Sequence, residues 1–276
     1  MKKFVPDNTS IVIYNPRGLA KVRTSIQVTD KILYERAEYY FNKGFVSLNS
    51  SVLINISENF SQAILNDLQY ISRNIFTCKV KKSPDDYFEA IKYFSKAISI
   101  CESYTIAYNY RGIAKYILKD YKEAIEDFSK AIDIDPNYSQ GYYYRGITKY
   151  DLKEYQGAID DYTKAVEINP NFAYVYNNRG VAEYNLSEYQ KAIEDYTKAI
   201  EIEPQYTYAY NNRGIAKYIL KDFLGAIEDF NRAIQIEPNY SNAYNNRGDA
   251  KKAINDLVGA ENDYSRYDNL IKSNVG

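Results

Sequence analysis

The sequence predicts an all-α solenoid of antiparallel helix pairs, and three observations carry that prediction. The first is a 34-residue unit, AYNNRGIAKYILKDFLGAIEDFNRAIQIEPNYSN at Ala209 to Asn242, which recurs lightly edited along most of the chain. Its glycine returns at Gly112, Gly146, Gly180, Gly214 and Gly248, and its proline at Pro136, Pro170, Pro204 and Pro238. The second is that each unit reads as a first helix, a tight turn and a second helix, with the proline ending the second. The third is composition: at 45% hydrophobic and 26% charged residues the chain is built to fold. A fixed period of this length marks a repeat array, in which each unit buries its apolar face by stacking on its neighbours.

Composition also removes several classes of function. The net charge of -1 supplies no cationic surplus to displace phosphate counterions, so nucleic acid is not expected as a general partner. There is no histidine, which removes the usual general base and the commonest metal ligand together. Cys78 and Cys101 alone do not complete a zinc site without carboxylates. They are read as inert buried thiols, with a disulfide between them as the alternative. Tyrosine is unusually frequent, at 32 residues, and tryptophan is absent. Pro6 and Asp7 interrupt the start too early for a signal peptide, and no apolar run approaches a membrane span. The chain therefore reads as cytoplasmic, with no membrane partner and no cofactor.

In order along the chain, residues 1–29 carry Lys2, Lys3, Arg17, Lys21 and Arg23 against the single acid Asp7. This stretch is expected to be a flexible tail, or else a basic arm that docks on the array or a partner. Ile11 to Tyr14 is a candidate extended segment without clear alternation. Residues 30–104 are expected to be helical but less regular. Helices are expected over 33–48, over Glu58 to Phe76, and over Asp85 to Cys101, the last opened by Ser83 and Pro84. The last matches the second half of the 34-residue unit. Five full units follow over 105–272, opening at Thr105, Ser139, Ala173, Thr207 and Ser241. The Ser and Thr openers suit N-caps. Asp120, Glu154, Glu188, Asp222 and Asp256 stand just before the second helices, at the positive end of each helix dipole.

Residue sizes explain the repetition. Counting from each opening residue, the glycine at position 8 is expected to meet the alanine at position 20 (Ala124, Ala158, Ala192, Ala226, Ala260), where a larger side chain would overpack. Aromatics follow at position 4 (Tyr108, Tyr142, Tyr176, Tyr210, Tyr244) and position 24 (Phe128, Tyr162, Tyr196, Phe230, Tyr264). Ala131, Ala165, Ala199 and Ala233 stand at position 27. This order of aromatic, glycine, alanine, aromatic, alanine and proline resembles the tetratricopeptide repeat family, five times in register. The resemblance departs from the family at position 7, usually leucine, where Arg111, Arg145, Arg179, Arg213 and Arg247 stand. Sixteen residues on come Asp127, Asp161, Asp195, Asp229 and Asp263; in the half repeat both members are replaced, by Thr77 and Tyr93. Each Arg is expected to pair with its Asp between the two helices. In the last unit the inner apolar positions become Glu261 and Asp268, seven apart on one helix face, as a terminal cap requires.

The resemblance implies a right-handed superhelix whose first helices line a concave peptide-binding face. The residues expected there are Asn109, Tyr143, Asn177, Asn211 and Asn245 at position 5, Asn178, Asn212 and Asn246 at position 6, and Tyr116, Tyr150, Tyr184 and Tyr218 at position 12. Asparagine both donates and accepts, so a row of it can hold an extended peptide backbone. The position-6 row is similar to the asparagine ladder in the repeat array of O-linked GlcNAc transferase. Tyrosine adds rigid contact area with a polar tip. The alternative is that these asparagines bond, and these tyrosines pack, within the stack. The carboxylate clamp by which some family members hold chaperone C-termini is missing, since position 9 is mostly aliphatic. The carboxylates recur on helix surfaces and no glycine loop is shaped for phosphate, so no catalytic residue is assigned. The expectation is a scaffold for an unnamed protein or peptide. The alternative is a structural or self-assembling array that uses its convex face or N-terminal region. A groove filled by the chain's own residues 1–29 is a third arrangement.

Overall fold

The structure, a computed structural model, describes residues 11–15, 18–22, 37–43 and 84–273. It divides between Pro136 and Asn137 into two units.

The first unit contains a two-stranded antiparallel hairpin, β1 (Ile11–Asn15) and β2 (Gly18–Val22), in register from Ile11 opposite Val22 to Asn15 opposite Gly18. The all-α class holds for the array, and this short hairpin stands before it. Sequence reading reached only an extended Ile11–Tyr14, because neither strand alternates cleanly. Next comes α1 (37–43), inside the helix expected over 33–48. Then come α2 (Pro84–Ile100), α3 (Thr105–Ile117) and α4 (Tyr121–Ile134). The helix expected over Glu58 to Phe76 lies outside the described residues, as do Thr77 and Cys78. Pro84 opens α2 where its missing N–H is harmless, with Asp85 and Asp86 in the first turn.

Phe41 on α1 packs its ring 5.6 Å from Phe94, 5.3 Å from Tyr104 and 5.5 Å from Tyr110. In the second unit Tyr143 meets the equivalent residues, Tyr162 at 6.3 Å and Phe172 at 5.0 Å. Thus α1 serves as the first helix facing α2, and the half repeat gains the partner that sequence reading left missing.

The second unit holds α5 (Ser139–Asp151), α6 (Tyr155–Ile168), α7 (Ala173–Asn185), α8 (Tyr189–Ile202), α9 (Thr207–Ile219), α10 (Phe223–Ile236), α11 (Ser241–Ala253) and α12 (Leu257–Ser273). Each helix packs on the next, forming a solenoid of antiparallel pairs. The first helices α5, α7, α9 and α11 also approach one another directly from repeat to repeat. Among the described residues the second helices make no comparable approach. The first-helix side is therefore the tighter side of this unit.

Each first helix ends in one device. Lys119, Lys153, Ser187, Lys221 and Asn255 take φ between 63° and 67°, the left-handed region. In α5, Lys153 N–H then donates to Tyr150 C=O and Glu154 N–H to Lys149 C=O, both at 2.9 Å. These two bonds satisfy orphan carbonyls of the last turn. The helix starts differ from expectation. Thr105, Ser139, Thr207 and Ser241 are first helical residues, while the capping position is held by Tyr104, Tyr138, Tyr206 and Tyr240 without a side-chain cap bond. Packing wins over capping there: Tyr206, for one, is buried beside Tyr174, the ring centroids 5.0 Å apart. The acids before the second helices stand where expected. Asp222 accepts from Gly225 N–H at 3.0 Å and Asp256 from Gly259 N–H at 2.9 Å.

The position-8 glycines make room for a different neighbour than expected. A Cβ on Gly112, Gly146, Gly214 or Gly248 would stand 2.6–2.7 Å from the ring of Phe128, Tyr162, Phe230 or Tyr264. The nearest neighbour is thus the position-24 ring, and at Gly180 the carbonyl oxygen of the position-20 alanine, Ala192, stands close as well, at 3.2 Å. On α12, Glu261 and Asp268 are exposed.

Candidate functional site

The first helices fix where each expected side chain stands. Asn109, Tyr143, Asn177 and Asn211 are buried instead of surface-lining. Position 5 faces the neighbouring repeat, and its side chains accept from the following position 6. Asn212 Nδ2 donates to Asn177 Oδ1 at 3.1 Å, Asn246 Nδ2 to Asn211 Oδ1 at 2.9 Å, and Asn178 Nδ2 to the Tyr143 hydroxyl at 3.4 Å. In the first unit, Asn109 Oδ1 is buried with no hydrogen-bond partner. Burial pushes the Tyr143 hydroxyl far above its usual range, with Tyr144 adding to the shift, so it stays protonated.

The remaining eight expected residues are half-buried: Asn178, Asn212, Asn245, Asn246, Tyr116, Tyr150, Tyr184 and Tyr218. The tyrosines lean on the aromatic that opens the second helix of their own repeat. Ring centroids are 5.6 Å apart for Tyr116–Tyr121, 5.4 Å for Tyr150–Tyr155, 5.2 Å for Tyr184–Tyr189 and 5.4 Å for Tyr218–Phe223. The Tyr150 hydroxyl also accepts from Asn185 Nδ2 at 3.0 Å. Sequence reading missed a second aromatic run at the start of the first helices. It links Tyr174 to Tyr206 at 5.0 Å, Tyr206 to Tyr208 at 6.3 Å and Tyr208 to Tyr240 at 5.4 Å, with Tyr208 exposed.

The Arg–Asp pair forms in all five repeats. In each, Arg Nε and Nη2 grip the two carboxylate oxygens of the Asp, as Arg145 does with Asp161 at 2.9 and 2.6 Å. The guanidinium lies 5.4–5.6 Å from the ring of the position-4 tyrosine. A third member escaped sequence reading. Lys115, Lys149, Lys217 and Lys251 at position 11 place Nζ 2.7–2.9 Å from the same carboxylate. The signal was available, since 7, 11 and 23 recur together and 7 and 11 share a helix face. Because each Asp is buried, removing one member of a cluster would strand a desolvated charge and cost more than breaking a surface pair. Cys101 is a free, half-buried thiol with Sγ 3.6 Å from Ser103 Oγ. Among the described residues no cluster of three or more Asp, Glu or Cys is placed to hold a metal ion, and no helix is long and apolar enough to cross a membrane.

The tetratricopeptide repeat family model matches four consecutive units, 105–138, 139–172, 173–206 and 207–240. The chain belongs to that family. Among solved structures, MamA is similar with a TM-score of 0.57 at 25% identity, over 59% of this chain and 96% of that one. PilF of Pseudomonas aeruginosa gives 0.63 at 16% identity, over 84% and 90%. YrrB, a tetratricopeptide repeat protein with an unusual peptide-binding site, gives 0.51 at 24% identity, over 67% and 96%. The last two likenesses show the fold alone. No curated protein matches the sequence.

Proposed function

We propose that this protein is a non-enzymatic interaction scaffold that holds a peptide or protein segment along the first-helix face of its second unit. The observation that carries the reading is the row Asn178, Asn212 and Asn246. All three are half-buried at one 34-residue spacing, and each is pinned by an Nδ2 bond to the preceding repeat. One N–H of each amide is engaged, which fixes the amide plane and leaves further hydrogen-bonding capacity for a ligand backbone. Preorganised groups lose little entropy on binding. Tyr150, Tyr184 and Tyr218, braced by tilted or edge-on contacts with Tyr155, Tyr189 and Phe223, lie further along the same first helices and are read as supplying contact area. Asn245, the last position-5 asparagine of the ladder, is half-buried. In the first unit, Tyr116 repeats the tyrosine arrangement on α3. With a net charge of -1 we read the partner as protein, not nucleic acid, and the setting as cytoplasmic.

A second reading rests on a different surface. Ile219, Leu220 and Leu224 of the fourth repeat and Ile254, Leu257 and Val258 of the fifth are exposed apolar residues near the turns into α10 and α12. They would suit assembly through the helix-turn edge.

The test is affinity capture from source-cell lysate with three baits: wild type, Asn178/Asn212/Asn246→Ala, and Leu224/Leu257/Val258→Ser. Circular dichroism and melting are followed in parallel, because the asparagines also join repeats. Loss of a partner with the first variant alone supports the peptide-holding face. Loss with the second variant alone supports the edge.

A further inference from the structure

One repeat breaks the cation rule. At position 11, where four repeats carry lysine, the third carries Glu183. The lysine ammonium elsewhere bridges the position-23 aspartate and reaches the backbone carbonyl of position 19 at 3.4–3.5 Å. Glu183 is only 7% exposed, and its Oε2 has no hydrogen-bond partner. Asp195 keeps its bidentate Arg179 but gains no second cation. A carboxylate thus takes the place of an ammonium, next to another carboxylate and away from water.

We propose that Glu183 is a proton-binding site of the third repeat, uncharged while α7 packs on α8, and that its ionisation as the medium passes from acidic to neutral and above weakens that packing. A buried carboxylate without a donor is costly when ionised, whereas its neutral form is tolerated. The groups around it are few. Arg179 lies on its own helix; Asp195 and Lys191 come from α8 and Glu188 from the residue before it. Tyr196 of α8 is near enough for the Glu183 charge to raise its hydroxyl, and Tyr150 of α5 and Tyr184 act on the same hydroxyl. From α6, Thr163 Oγ1 accepts from Arg179 Nη1 at 3.1 Å, and α9 meets this level with Ala216.

Burial pushes the Glu183 carboxyl up to about 7, Asp195 adding to the shift and Arg179 opposing it. Burial also raises Asp195, against the hydrogen bond and charge of Arg179. At the equivalent Asp263, burial works in the same direction, but hydrogen bonds from Arg247 and Lys251 outweigh it and hold that carboxyl below its ordinary value. Because Glu183 binds its proton more tightly folded than unfolded, its favourable contribution is complete below about pH 4.5 and is lost as pH rises through about 7. The chain has no histidine, so near pH 7 the N-terminal amine is the one group of ordinary pKa that titrates beside it, while the ordinary carboxyls titrate lower, around pH 4 to 5. The helix that would loosen is α7, which also carries Asn177 and Asn178.

The experiment is denaturant unfolding of the full chain from pH 5 to 8.5 for wild type, Glu183→Gln and Glu183→Lys. A second measurement is a carbon-13 NMR titration of the glutamate side-chain carboxyls of the wild type. The wild-type folding constant is expected to fall by up to about tenfold per pH unit between about pH 5 and 7. Glu183→Gln should fall much less steeply than wild type over that range, and Glu183→Lys should be more stable than wild type at pH 8. The Glu183 resonance should titrate near 7. Parallel pH profiles for wild type and Glu183→Gln, or a Glu183 midpoint at the ordinary value near 4.5, would overturn the proposal.

Discussion

Asn212 Nδ2 donates to Asn177 Oδ1 at 3.1 Å, joining the first helices of two successive repeats. The acceptor is buried and the donor half-exposed, so one amide stabilises the stack while its neighbour can meet a ligand. Asn212→Ala is expected to lower stability by about 1–3 kcal/mol, since it strands a buried acceptor. A double-mutant cycle with Asn177→Ala in urea unfolding checks this. Additive losses would mean that the two amides do not interact.

The Asp161 cluster should dominate the stability of its repeat. Arg145 grips both carboxylate oxygens and Lys149 adds a third contact at 2.7 Å. Asp161→Ala leaves two cations without their partner and is expected to lose about 3–5 kcal/mol. Glu201→Gln, which breaks the exposed Lys198–Glu201 pair, should leave the unfolding midpoint unchanged.

Strain at the turns offers a stabilising change. Lys153 has φ 67°, a conformation that disfavours side chains with a Cβ. Lys153→Gly should raise stability by about 0.5–1 kcal/mol, the relief of strain outweighing the extra entropy of the unfolded chain. The same change at Asn255 should do less, because asparagine tolerates this region. Thermal unfolding of the two variants distinguishes them.

Close packing over Gly214 gives the opposite result. A methyl there would stand 2.6 Å from the Phe230 ring. Gly214→Ala should lose about 1–3 kcal/mol by overpacking. Adding Phe230→Leu should recover part of that loss, and calorimetric melting of the single and double variants measures it.

How far the sequence foretells this structure depends on what each residue answers to. The period, the glycines and the Arg–Asp pairs were legible because each recurs five times under the same packing demand. The helix starts were misjudged because an aromatic takes the capping position before each one, with Tyr104 and Tyr206 buried, and packing outweighs the capping preference of the Ser or Thr that follows. The role of α1 was hidden by its distance from α2, although AEYYFNKG at 37–44 aligns with SNAYNNRG at 241–248. Position 5 was assigned to the surface because helical spacing places it near positions 9 and 12. Contact with the next repeat, which spacing within one helix does not reveal, is what buries it. Glu183 was overlooked for the same reason, since its meaning lies in the lysines of the other four repeats.

The central claim is that the first-helix face holds the partner. The most direct measurement is site-specific photo-crosslinking in source-cell lysate, with the reactive residue at Tyr184 or Tyr218 on the first helices and at Glu194 or Glu228 on the exposed faces of α8 and α10. The account predicts that one partner segment is captured from Tyr184 and Tyr218 and not from Glu194 or Glu228, and that mass spectrometry maps the crosslinks to one continuous stretch of that partner. Capture from Glu194 and Glu228 alone would contradict it.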